Sequence, residues 1–192
     1  MISTAFSDKP SAREYFLSER RKINPDVLEK KSLALCRSLF LTEEFKKADV
    51  LLLYFPIKNE INVLPIAERA LSLGRRIAFP IADTRSHTLD FRFVDTLGEL
   101  REGAYKIAEP QESAPVACFS KNTVCILPAL AFDTKGYRLG YGKGFYDRFL
   151  ADFCGTSVGL VMDGFLCSSL PTNNTDVAAD IIITETGVIR VK

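Results

Sequence analysis

Two stretches of this chain are apolar almost without interruption: Val-Leu-Leu-Leu-Tyr-Phe at residues 50–55 and Val-Cys-Ile-Leu-Pro-Ala-Leu-Ala-Phe at 124–132. A strand with one wet face alternates apolar and polar side chains, so an unbroken run describes a strand covered on both faces. Proline lacks the donor that a central ladder needs, so the second strand is expected to end near Leu127, ahead of Pro128, with an apolar loop after it.

Helical signals surround these runs. Ser11 followed three residues later by Glu14 reads as a capping box, opening a first helix that runs to about Lys22. Asn24, Pro25 and Asp26 supply a cap, a first-turn proline and an early acid for a second helix. That helix buries Leu28, Leu35 and Leu39 and ends near Leu41. Thr42 caps a short turn through Lys47. Residues 62–73 form a helix closed by Gly74, and 145–153 form another with Phe145, Phe149 and Phe153 on one face. Further strands are expected at 76–81, 89–94, 156–162 and 181–184, while 98–122 reads as mostly irregular. Strands alternating with helices predict an α/β fold: a largely parallel central sheet with helices on both faces, in one domain spanning residues 1–192. In such sheets ligands bind beyond the carboxyl ends of the strands, which draws attention to the loops after Phe55 and Leu127.

Charge excludes several functions. Lys+Arg total 25 against Asp+Glu 24, a net +1, so no global field recruits nucleic acid or an anionic membrane, and any anion site must be local. No apolar run approaches the ~18 residues that cross a bilayer, and residues 1–13 lack the apolar core of a secretory signal. Five scattered cysteines with no Cys-x-x-Cys pair argue against a disulfide framework or zinc site; they read as small buried hydrophobes in a reducing cytoplasm. His87 is the only histidine and lies in a polar stretch. It is expected on a surface loop, and triad chemistry is discarded. Arg20, Arg21 and Lys22 are assigned to a solvated face.

Residues 138–148 read Arg-Leu-Gly-Tyr-Gly-Lys-Gly-Phe-Tyr-Asp-Arg. Gly140, Gly142 and Gly144 allow positive φ and close approach of the backbone to a ligand. Their successive N–H groups can form an anion-binding nest that leads into a helix N-terminus. Arg138 and Lys143 add a bidentate fork and a mobile point charge. Phosphate binding is therefore expected. A Walker A loop and the dinucleotide fingerprint are both excluded by glycine spacing.

This segment resembles the signature of the 5-formyltetrahydrofolate cyclo-ligase family. Residues 9–13 are similar to that family's basic nucleotide-binding segment, and Phe55 and Glu60 to its strand-end folate stretch. Glu109-Pro110 matches a recurrent pair, and Leu170-Pro171 with Asp176 a late acidic motif. Phe145 stands where members often carry tyrosine, and Thr175 where bacterial members often have histidine.

The resemblance implies a fold akin to sugar-phosphate isomerases and CoA transferases. It also implies a monomeric enzyme using ATP and Mg²⁺ to convert 5-formyltetrahydrofolate to 5,10-methenyltetrahydrofolate. Its ATP site would comprise Lys9, Pro10, Ser11, Ala12 and Arg13 with Arg138, Leu139, Gly140, Tyr141, Gly142, Lys143, Gly144, Phe145 and Tyr146. Its folate site would comprise Phe55, Glu60, Tyr141, Gly142, Lys143, Gly144 and Phe145. Arg138 and Lys143 would act on the transferred phosphoryl group, and Asp147 and Asp176 would hold the metal. Without the resemblance Glu60 is an ordinary loop glutamate and Asp147 a helix-dipole partner. Two rival readings stand beside it: an ATP-independent isomerase or transferase, and a non-catalytic folate- or nucleotide-binding module of the same fold.

Overall fold

The structure, a computed structural model, describes residues 6–191. The chain opens with α1 (Lys9–Arg21), α2 (Pro25–Phe40) and α3 (Glu43–Lys47), then β1 (Val50–Leu52), α4 (Leu64–Ser72), β2 (Arg76–Asp83) and β3 (Thr88–Val94). It continues through β4 (Arg101–Glu102), β5 (Ala108–Glu109), β6 (Thr123–Leu127), β7 (Ala131–Asp133) and β8 (Arg138–Leu139). Last come α5 (Phe145–Ala151), β9 (Thr156–Leu160), β10 (Leu166–Cys167), β11 (Ile181–Ile183) and β12 (Val188–Arg190).

Seven strands make the main sheet in the order β12-β11-β9-β6-β1-β2-β3. The inner strands β11, β9, β6, β1 and β2 run parallel, and the edge strands β12 and β3 pair antiparallel. Every residue of β1, β6 and β11 is buried, as two-sided covering requires. Leu51, Leu52, Ile126 and Ile182 sit at the centre of the core, with α1 delivering Ala12 and Phe16 and α2 delivering Leu35 and Leu39. Leu28 is only half-buried against it.

Helix starts follow local side-chain chemistry. Asn24 accepts the Asp26 N–H at 2.8 Å, and Thr42 accepts that of Phe45 at 3.2 Å. The start of α1 differs from the expected capping box: Asp8 caps it by accepting the Ser11 N–H at 2.8 Å, and Ser11 lies inside the first turn. Proline at position 10 is tolerated there because a first-turn N–H has no helical partner to lose.

Other expectations shift for identifiable reasons. The apolar stretch after Pro128 is not wholly loop: Ala131–Asp133 forms β7, which pairs with β8 and β10 in a second, three-stranded sheet. Its partners β8 and β10 are two residues each, too short to carry a periodic signal. Residues 98–122 contain the small β4–β5 hairpin, and the edge strand β12 lay outside the expected strands. The cysteine reading holds for Cys36, Cys125 and Cys167, but Cys118 and Cys154 are exposed. His87 lies in the turn joining β2 to β3.

Candidate active site

The chain leaves β1 for β2 on one side, while β6 and its successors lie on the other. The connections beyond the carboxyl ends of β1 and β6 therefore diverge and open a crevice, the usual ligand site of such sheets. A cavity of about 960 Å³ occupies this place. Phe55 and Glu60 line it from the loop after β1, and Pro128 from the turn after β6. Every residue from Arg138 to Arg148 contributes to its wall, among them Arg138, Gly140, Tyr141, Gly142, Lys143, Gly144, Phe145, Tyr146, Asp147 and Arg148. Leu139 joins them, and Lys9, Arg13 and Asp176 complete the charged rim. Pro10, Ser11 and Ala12 do not line it: the first two are exposed and Ala12 is buried in the core.

The glycine segment is built from its base. Asp133, buried at the end of β7, accepts the N–H groups of Lys135 and Tyr137 through Oδ1 and that of Leu170 through Oδ2. This pins the β7–β8 turn and starts Arg138 in a set direction. Gly142 (φ +98°) and Gly144 (φ +71°) take the left-handed backbone that other residues resist, which folds the segment back into α5.

Cations and acids then pair across the cavity. Arg138 is almost fully buried; it donates from Nη2 to Asp147 Oδ1 at 2.8 Å and from Nη1 to the Val177 carbonyl at 2.8 Å. Burial lowers the Arg138 pKa and Asp147 opposes that shift. Asp147 Oδ1 also accepts the Val177 N–H at 3.2 Å. Lys9 Nζ lies 2.6 Å from both oxygens of Asp176, and Arg13 Nε donates to the Gly140 carbonyl at 2.9 Å. Lys143 is exposed, and its ammonium makes no ion pair among the described residues.

The other end of the cavity is less charged. Glu60 is buried and accepts the Ile57 N–H at 3.0 Å. Burial raises its pKa, opposed by the Ile57 N–H, Arg20 and the Tyr141 hydroxyl. Burial and Glu60 in turn push the Tyr141 phenol up. Glu109 accepts the N–H groups of Ala82 and Ala104, each at 3.2 Å, and so fastens the loop bearing Tyr105 to the end of β2.

One assignment from the sequence is overturned. Arg20 is not on a solvated face; it is 5% exposed and donates to main-chain carbonyls, whereas Arg21 and Lys22 are exposed as expected. The signal was present: Arg20 falls four residues after Phe16 and eight after Ala12, on the buried side of α1.

A parallel-sheet α/β protein with cations, a glycine-rich backbone and a buried acid around one switch-point crevice belongs to the nucleotide- and cofactor-handling class. Residues 5–185 match the 5-formyltetrahydrofolate cyclo-ligase family, and the chain belongs to that family. A 5-formyltetrahydrofolate cyclo-ligase of Mycolicibacterium smegmatis is 30% identical over 148 residues, covering 72% of this chain and 75% of that protein. The Escherichia coli K12 enzyme of the same name is 27% identical, covering 88% and 96%. The NMR structure of a 5,10-methenyltetrahydrofolate synthetase from Aquifex aeolicus superposes with a TM-score of 0.83 at 29% identity, covering 96% of this chain and 93% of that one.

Proposed function

We propose that this protein is a 5-formyltetrahydrofolate cyclo-ligase, forming 5,10-methenyltetrahydrofolate while splitting ATP to ADP and phosphate. The observation that carries the reading is the single cavity in which the glycine segment and its cations face Glu60 and Phe55. One pocket wide enough for two ligands lets a phosphoryl donor and a pterin meet.

The chemistry requires that meeting. A formamide carbon is a poor electrophile because its nitrogen delocalises onto the oxygen. Attack of the formyl oxygen on the γ-phosphorus forms an O–P bond and releases ADP. The activated carbon then accepts the lone pair of N10, N10 loses its proton, and the C–O bond breaks to release phosphate.

This chain's residues supply position and charge. Arg138 is held rigid by Asp147 and the Val177 carbonyl, so its remaining donors meet the transferred phosphoryl group with little reorganisation. Lys143, exposed and without an ion-pair partner among the described residues, is available to follow the charge as it moves. Backbone N–H groups of residues 140–144 cradle phosphates, with Lys9 and Arg13 closing from α1. Glu60, fixed through the Ile57 N–H, presents a carboxylate to pterin N–H donors, and Phe55 packs on the ring.

A divalent cation fits this donor set. Mg²⁺ commonly takes one or two carboxylates and fills its shell with phosphate oxygens and water, so two acids suffice. No cluster of three or more ligating side chains exists among the described residues. Asp147 would hold it through Oδ2, which accepts no hydrogen bond from the described residues, and Asp176 once Lys9 turns to phosphate. Bound there, Mg²⁺ would neutralise phosphate charge.

We also read the chain as one catalytic domain, monomeric and cytoplasmic, with a sheet akin to those of sugar-phosphate isomerases and CoA transferases; the parallel core between helices supports that kinship. The test is direct. Purified protein with 5-formyltetrahydrofolate and Mg-ATP should produce methenyl-folate absorbance with stoichiometric ADP. Turnover without ATP would point to an isomerase or transferase, and binding without turnover to a non-catalytic module.

A further inference from the structure

We propose that Arg20 is a positioning residue for the folate half of the site, tying the loop that carries Glu60 to the turn after β6. The inference rests on the cyclo-ligase reading, since it concerns how the pterin end of that cavity is held.

The geometry spans the switch point. From α1, Arg20 Nη1 donates to the Asn59 carbonyl at 3.3 Å, in the loop after β1. Its Nη2 donates to the Ala129 and Leu130 carbonyls, the latter at 3.1 Å, in the turn after β6. Asn59 answers by donating its side-chain amide to the Arg20 carbonyl at 2.9 Å. Among the described residues no main-chain hydrogen bond joins these two loops, which leave the sheet beyond the β1–β6 ladder. One planar guanidinium bridges them instead, which a single-point ammonium would not do.

The placement is costly, which argues that the geometry matters. Arg20 is 5% exposed, its Nε has no hydrogen-bond partner, and it forms no ion pair with any described residue. Its guanidinium carbon lies 5.5 Å from the Phe165 ring centroid, a modest compensation. A buried cation of this kind needs a nearby negative charge, and Glu60 is the acid that feels it. The groups that bear on the charge of Glu60 are Arg20 from α1, the Ile57 N–H of its own loop, Tyr141 from the glycine segment, Tyr54 after β1 and Tyr146 of α5. Arg20 is the cation among them.

Arg20 also shares a helix face with the nucleotide end of the cavity. It follows Arg13 by seven residues and Lys9 by eleven, about two and three turns, so all three project to one side of α1. The same helix therefore fixes the phosphate rim at its start and the Glu60 loop at its end.

Kinetics of Arg20→Met and Arg20→Lys, with each substrate varied at saturating levels of the other, decide the matter. Arg20→Met should raise the KM for 5-formyltetrahydrofolate about 10-fold or more and leave that for ATP within about 2-fold. It should also move the acid limb of kcat/KM for folate to higher pH, because the cation that favours ionised Glu60 is gone. Arg20→Lys keeps the charge and loses the fork; it should restore the pH limb while the folate KM stays raised. If Arg20→Met does not fold, Asn59→Ala, which removes only the returning hydrogen bond, should raise the folate KM about 3-fold and spare ATP. Folded variants with wild-type folate KM and pH profile would overturn the proposal and leave Arg20 a stabilising residue only. Wild-type protein that forms no methenyl-folate from ATP would instead overturn the cyclo-ligase reading itself.

Discussion

Arg138 and Asp147, nine residues apart, close the base of the glycine segment with a 2.8 Å ion pair between β8 and α5. The base of the loop between them is therefore tied by the protein's own charges. The same carboxylate oxygen takes the Val177 N–H, so the pair also anchors the stretch bearing Asp176.

That pair yields the first prediction. Asp147→Ala leaves Arg138 buried and uncompensated, and should lower stability by on the order of 3 kcal/mol. Adding Arg138→Met should recover much of that loss in chemical denaturation. Activity should stay down in the double variant, since the proposed function assigns both groups to the phosphoryl end of the site. Independent, additive stability losses would show that the pair is not coupled.

Lys143 is the opposite case, exposed and without an ion pair among the described residues. Lys143→Ala should leave the melting temperature unchanged and lower kcat at saturating ATP on the order of 100-fold or more. A turnover number near wild type would remove Lys143 from the chemistry.

Glu60 carries a pH signature. Burial raises its pKa above the ordinary glutamate range, so the folded state binds its proton more tightly than the unfolded chain does. Its contribution to stability is thus greatest at low pH and declines as pH rises through the folded-state pKa. Glu60→Gln should melt higher than wild type at neutral pH, with the difference shrinking in acid. Its folate affinity should fall more than its ATP affinity; equal losses would indicate misfolding.

Gly142 combines a φ of +98° with a close neighbour. An added Cβ would lie 3.2 Å from Cζ of Arg13, whose Nε holds the Gly140 carbonyl. Gly142→Ala should cost roughly 1–2 kcal/mol of backbone strain and displace Arg13. The KM for ATP should rise, and a Gly142→Ala enzyme with unaltered ATP kinetics would separate Arg13 from nucleotide binding.

Much of this protein was legible in its residue order because the governing physics is local. Unbroken apolar runs marked β1 and β6 as interior strands, capping residues placed α2 and α3, and glycines flanked by Arg138 and Lys143 singled out a segment that lines the cavity. The tertiary structure alone decided which distant groups meet: Lys9 with Asp176, Arg138 with the Val177 carbonyl, Glu109 with the amide of Ala82. It also turned Arg20 from a surface charge into a bridge between two loops. Such contacts depend on the order of strands in the sheet and on where their loops diverge. Local periodicity reports only whether a face is buried, and it holds no record of what lies on the other side.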